Sequence, residues 1–246
     1  MDSLDKHPQI AELMDTLEEN HMHKEREEAQ SLVDYIGDME TTLSEMLKEM
    51  QGMRHEINLI HNNSLKAKCQ NLVQMAEGKV KQAVSVVTRV KNNLIQSAGN
   101  AVKAYKEKGR EAFRKAVKSM KLPETLDRLA GFFYKLSKET DQSISQLNEM
   151  QSELNSAKGH FKNVGRLLIG RSTAEAEQVK SDKGVLSRFG KLLSKMSAGF
   201  DRLSQKAMDA SDKIRVSHVK ESVRTELDSL KSIDKGRSRS DPLRER

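Results

Sequence analysis

Leu32-Val-Asp-Tyr-Ile-Gly-Asp-Met-Glu-Thr-Thr-Leu-Ser-Glu-Met-Leu-Lys-Glu-Met-Gln-Gly-Met-Arg-His-Glu-Ile-Asn-Leu-Ile60 is the stretch that decides the fold. Its apolar residues Leu32, Ile36, Met39, Leu43, Met46, Met50, Met53, Ile57 and Ile60 are separated alternately by four and three positions. That is the 3.5-residue repeat with which one helix lays a continuous seam against another. A second clean track runs near the C-terminus through Leu186, Phe189, Leu193, Met196, Phe200, Leu203, Ala207, Ala210 and Ile214. Two such tracks in one chain predict long helices packed along their length.

Composition agrees. The 246 residues are 32% charged and 4% aromatic, with no Trp and with Pro only at 8, 123 and 242. Few breakers and few aromatics, with abundant Lys, Glu, Leu, Met, Ala and Gln, is the profile of extended helical packing. Cys69 is the only cysteine, so no intramolecular disulfide forms. Its apolar neighbours make it a small buried hydrophobe, and a reducing compartment is the easier setting. The N-terminus Met1-Asp2-Ser3-Leu4-Asp5 has no apolar run, and no window approaches eighteen apolar residues. The expectation is a cytoplasmic protein with no signal peptide and no membrane span.

Outward from the seam, the chain divides at its breakers. Pro8 fits the first turn of a helix whose Ile10, Leu13, Met14 and Leu17 share a face. Asn20-His-Met-His23 bends or breaks it before the seam. Gly37 and Gly52 sit inside the seam region, where each costs roughly 1 kcal/mol relative to Ala unless tertiary packing compensates or a close neighbour needs the space. His61-Asn-Asn-Ser64 is the first clear interruption, with Ser64 as N-cap. The next helix carries Cys69, Val73, Ala76, Val80, Ala83, Val87, Val90, Leu94, Ala98, Ala101 and Tyr105, a mostly small seam that lets a partner come close, and Gly78, Gly99 and Gly109 add to that. It runs to about Met120, kinked near Gly109. Leu122-Pro123 ends it and opens a third helix tracking Leu126, Leu129, Phe133, Leu136, Thr140, Ile144, Leu147, Met150, Leu154, Ala157, Phe161, Val164 and Leu168. Residues 170–184 are polar and read as the longest connection. After Ile214 the phase slips to Val216, Val219, Val223, Leu227 and Leu230.

The predicted fold is therefore all-α: an elongated antiparallel helical bundle or coiled coil of about four long helices, each about 70–80 Å. Residues 1–122 form an acidic–basic hairpin, 123–235 a second hairpin packing on or following the first, and 236–246 a disordered basic tail. Whether the seams meet within one chain or partly across a homo-oligomer is left open by the pattern.

The net charge of +7 is unevenly distributed. Residues 1–60 carry 5 basic and 15 acidic residues, whereas 61–122 carry 14 and 3. Opposite segments joined by a short Asn-Asn-Ser turn should fold back on each other, the acidic one covering much of the basic face.

No catalytic, cofactor-binding or metal-binding residue emerges. None of the seven histidines shows the His-Glu-x-x-His spacing that puts two ligands on one helical face. Glu18-x-x-His21 has di-iron spacing, but that chemistry needs two such pairs and two further inward carboxylates. The glycines are scattered singly, so no phosphate-cradling loop is present. Residues 61–122 place Lys66, Lys68, Lys79, Lys81, Arg89, Lys91, Lys103, Lys106, Lys108 and Arg110 beside a Val/Ala/Leu stripe, as in helices that lie on anionic surfaces. Against that stand the lack of a nucleic-acid reader motif and the scarcity of aromatics.

Gln30-Ser-Leu-Val-Asp-Tyr-Ile-Gly-Asp-Met39 and Ala98-Gly-Asn-Ala-Val-Lys-Ala-Tyr-Lys-Glu-Lys-Gly-Arg-Glu-Ala-Phe113 resemble uncharacterised helical proteins carried on mobile elements of Gram-positive gut bacteria. The resemblance covers about half the chain and implies a bacterial cytoplasmic setting, with no activity or functional residues to carry over. The function expected is that of a non-enzymatic interaction or scaffold protein acting through coiled-coil surfaces, its partner a second copy or another helical protein, with no cofactor and no small-molecule substrate. The alternative is a peripheral binder of anionic membrane or nucleic acid through 61–122 and the C-terminal tail.

Overall fold

The computed structural model describes the backbone of residues 4–165 and 173–237 and the side chains of 4–156 and 183–216. Within these it is all-α, with no strand. After a single 3-10 turn, Leu4–Lys6, come α1 (Pro8–Glu19), α2 (His23–Asn58), α3 (Asn63–Lys108), α4 (Arg110–Ser119), α5 (Leu122–Gly165) and α6 (Thr173–Arg237).

The boundaries follow from local chemistry. Pro8 occupies the first turn of α1, after an extended His7. Asn20 ends α1, its side-chain amide donating to the Thr16 carbonyl at 2.8 Å, and His21 takes a left-handed turn with φ 56°. The Arg110 guanidinium donates to the Asn20 carbonyl at 2.8 Å and pins this corner. At the α2–α3 turn the N-cap is Asn62, whose side-chain oxygen accepts from Leu65 N–H at 3.0 Å. Ser64, expected in that role, lies two residues further on, within the first turn of α3. Gly109, at φ 75°, breaks the predicted second helix into α3 and α4. An L side chain is strained there, so this glycine is where the chain can change direction. Tyr105 and Phe113 meet across the break, ring centres 5.5 Å apart.

The expected lengths need correction. The first segment is two helices, separated at the Asn20–His23 stretch expected to bend or break it, and α1 folds back against α3 and α2. The seam helix α2 has 36 residues, about 54 Å, whereas α6 has 65, about 100 Å. α6 is helical from Thr173, so most of the stretch read as a connection belongs to a helix. Residues 166–172 and 238–246 lie outside the described residues, and with them nearly all of the tail; Gly236 and Arg237 close α6.

All nine residues of the Leu32–Ile60 track are buried, as are eight of the nine in the Leu186–Ile214 track, with Ala210 half-buried. The helices they sit on pair antiparallel. Between α2 and α3, Arg54 meets Glu77 at 3.0 Å and Lys91 meets Glu40 at 2.8 Å. Between α2 and α6, the Tyr35 hydroxyl donates to the Leu203 carbonyl at 2.6 Å, and Lys206 meets Asp38 at 2.6 Å. Between α3 and α5, Lys68 meets Glu153 at 3.2 Å. The α5–α6 pair is the most extensive contact in the molecule, and Phe133 and Phe200 stack across it with centres 6.2 Å apart.

At Gly37 and Gly52 an added Cβ meets nothing within 4 Å. No neighbour requires these glycines, so the cost to the α2 backbone is uncompensated. Gly37→Ala and Gly52→Ala are each expected to stabilise by about 1 kcal/mol, additively because they lie about 22 Å apart along α2. Urea denaturation of the double variant checks this; an unchanged or lowered midpoint counts against α2 being helical at those positions. Gly78, in the small seam of α3, is likewise open, and Gly99 faces only the flexible end of Gln9. The close approach lies elsewhere, at Gly199 of α6, where a Cβ would collide with the Met46 methyl of α2.

Candidate functional site

The charges of α2 reveal how its two flanks are used. Glu40 and Arg54, fourteen positions apart, face α3. Asp38, Glu49 and Glu56, separated by eleven and seven, face α6, where they meet Lys206, Lys195 and Arg188. Both sets keep near-whole numbers of helical turns, so each forms a stripe beside the seam. The acidic helix therefore divides its carboxylates between two basic partners instead of covering residues 61–122 alone. From α1, Glu12 reaches Lys106 at 2.5 Å. Lys108, Lys115, Lys118 and Lys121, around α4, are exposed and carry no ion pair among the described residues.

The α5–α6 interface holds a polar element that the apolar tracks conceal. Ser197, Ser204 and Ser211 follow one another at seven-residue intervals and are buried. The Ser197 hydroxyl contacts Asp141 Oδ1 at 2.6 Å and Ser137 Oγ at 3.0 Å. Ser204 donates to the Ala130 carbonyl at 2.9 Å, and Ser211 to Asp127 Oδ1 at 2.6 Å. Small side chains let the two backbones approach, and each hydroxyl finds an acceptor, which a buried polar atom requires. The signal was present in the sequence as a heptad of serines.

Along the edge of that interface opens a shallow groove of α5 and α6, of about 680 Å³, lined by Ala130, Gly131, Tyr134, Ser204, Gln205 and Met208 together with Asp201 and Arg202. Tyr134 is 55% exposed and Met208 44%, unusual for large apolar side chains in so charged a surface. Lys138 Nζ sits 5.4 Å from the Tyr134 ring centre.

Two ionisable groups are displaced from their ordinary behaviour. Burial, with a smaller push from Asp38, drives the Tyr35 hydroxyl well above the usual tyrosine range, consistent with its role as a neutral donor to Leu203. Burial lowers Lys79, partly opposed by Glu139; its ammonium donates to the Glu139 carbonyl at 2.5 Å and to Ser143 Oγ at 3.2 Å. A lysine depressed in the folded state binds its proton less tightly there than when unfolded, so stability rises with pH from the depressed value up to the ordinary lysine value. Lys79→Met is expected to flatten that alkaline rise and to leave neutral-pH stability equal or slightly higher. Thermal melts between pH 7 and pH 10.5 test it, and an unaltered pH slope would assign the rise to other groups.

Of the residues considered for chemistry, Cys69 is buried. Glu18 lies 3.4 Å from both His23 Nδ1 and Arg26 Nε, so its carboxylate serves the α1–α2 corner. Among the described residues no three His, Cys, Asp or Glu side chains group as metal ligands, and no helix is long and apolar enough to cross a membrane. Comparison with curated proteins and with solved structures gives no match. A family model does match, over residues 6–246, and the chain belongs to that family of unknown function, DUF6674.

Proposed function

We propose that this chain is a non-enzymatic helical interaction or scaffold protein of the cytoplasm that acts through coiled-coil surfaces. The four long helices α2, α3, α5 and α6 are read as one antiparallel four-helix bundle, a reading supported by the pairing of α2 with α3, α3 with α5, α5 with α6 and α6 with α2. The observation that carries the interaction role is the Tyr134–Met208 groove, where two exposed large apolar side chains line one surface that the exposed Leu59, Met75 and Val216 do not share. The partner that fits it is a second copy. Asp201 and Arg202 flank the groove as neighbours of opposite charge, and neither is ion-paired among the described residues. Under a two-fold axis each would meet its opposite on the other protomer. Sedimentation equilibrium of the full chain should show concentration-dependent dimerisation that Tyr134→Glu with Met208→Glu abolishes at unchanged helicity. A wild-type chain monomeric at every concentration overturns the self-association reading.

A second reading is favoured by the uncovered lysines of α4. Lys108, Lys115, Lys118 and Lys121 offer an anionic membrane or nucleic acid a patch that the acidic helix leaves open. Binding of the full chain to phosphatidylglycerol vesicles or duplex DNA would fall with salt and disappear on changing these four lysines to glutamate.

A further inference from the structure

We propose that the cleft between α3 and the first two turns of α5 binds a single-chain amphiphile with an anionic head, of the size of a medium-chain carboxylate. α3 and α5 are tied together at one end, where Lys79 reaches Glu139 and Ser143 and Lys68 reaches Glu153. Toward the other end they part, and the gap is a cleft of about 310 Å³. That volume is at the lower end of the range used by small-molecule sites.

Its lining is divided by chemistry. Leu32, Leu94, Leu122 and Leu129, all buried, form an apolar floor. Asn93, Ser97 and Thr125 supply neutral polar groups along the walls. At the rim stand two guanidinium groups from different helices, Arg89 of α3 and Arg128 of α5, and no carboxylate lines the cleft. Arg89 makes no hydrogen bond or ion pair among the described residues. Arg128 reaches only the Glu124 carbonyl of its own helix at 3.2 Å and the Thr125 hydroxyl at 3.4 Å.

Solvation is the ordinary fate of an exposed arginine. Elsewhere cations that face another helix meet acids, as in Lys91–Glu40, Arg188–Glu56 and Lys195–Glu49, or backbone carbonyls, as Lys79 and Arg110 do, whereas Arg89 meets neither among the described residues. Two arginines from different helices line one cavity with no acid among its lining residues, over a floor that is apolar. A guanidinium recognises a carboxylate or phosphate through paired N–H donors, and the floor takes an alkyl chain. A neutral chain would forgo the rim, and a cationic head would be repelled by it.

Isothermal titration of the full chain with octanoate, kept below its aggregation concentration, tests the proposal. Saturable binding at one site is expected. Hexanoate, two methylenes shorter, should bind roughly tenfold more weakly. Octanol and octyltrimethylammonium should each lose at least about tenfold by forgoing or opposing the arginines. Arg89→Gln with Arg128→Gln should weaken octanoate to the level of octanol. Ser97→Trp should fill the cleft and abolish binding; Asn93→Trp, at an exposed position on the wall, serves if the first variant does not fold. Absence of saturable octanoate binding overturns the proposal. So does octanol binding as tightly as octanoate, or affinity that survives both the arginine and the tryptophan substitutions.

Discussion

Replacing Met46 and Met50 together by aspartate leaves the chain unable to hold its fold at 25 °C. Met50 is fully buried and Met46 nearly so, and the Met46 methyl fills the space that Gly199 opens on α6. Each substitution removes a large apolar side chain from a packed position and puts a carboxylate there; Met46 borders a groove that Lys195, Arg202 and Lys206 also line, which offsets part of its charge, whereas Met50 is fully buried. An uncompensated buried charge costs about 3–5 kcal/mol, and losing the methionine packing costs about 2–5 more. A domain has only about 5–15 kcal/mol in total. Circular dichroism and urea denaturation should show the double variant unfolded or melting tens of degrees lower. Ser44→Asp, on the exposed side of the same helix, should stay within about 0.5 kcal/mol of the parent. An unchanged melting temperature for the double variant would mean that the Leu32–Ile60 seam faces water, and the pairing of α2 with α3 and α6 would fall with it.

That seam was legible because burial on a helix imposes a period, and the period survives in the letters. The same holds for Leu186–Ile214 and for the breaks at Pro8 and Pro123. What the period does not encode is the neighbour. Glu40 and Glu49 are equivalent to any tally of charge by segment, yet they lie on opposite flanks of the seam, and one meets α3 while the other meets α6. The start of α6 was missed for a different reason. Thr173-Ala-Glu-Ala-Glu-Gln178 has too few apolar residues to show a seam, but Ala, Glu and Gln are strong helix formers. Low apolar content marks the end of a seam and not the end of a helix. Asn62 and Ser64 are both good caps, and the choice between them rests on which residue takes the extended backbone that precedes the first turn.

The serines of α6 make the sharpest case, because the apolar rule and the structure predict opposite results. By the rule, leucine at 197, 204 and 211 would widen the apolar face of α6 at heptad spacing and strengthen the pairing. In the structure these positions face the α5 backbone: Ser204 Oγ is 2.9 Å from the Ala130 carbonyl, and Ser211 Oγ is 3.3 Å from that of Pro123. Leucine does not fit where a hydroxyl touches backbone, and overpacking costs about 1–3 kcal/mol per site. The sites are about 10 Å apart along the helix, so the triple leucine variant should lose several kcal/mol. Triple alanine removes the hydroxyls without adding bulk and forfeits about 0.5–1.5 kcal/mol for each neutral hydrogen bond, somewhat more where the acceptor is Asp141 or Asp127. Asp127 keeps Arg215 as a partner, and both carboxylates remain open to water, which limits that loss. The expected order of urea midpoints is parent, then alanine, then leucine, with the leucine variant also losing the Phe133–Phe200 stacking that depends on the same helix separation. A leucine variant more stable than the parent would place the serines on a looser, solvent-filled interface and would remove the reason why α5 and α6 form the most extensive pair in the molecule.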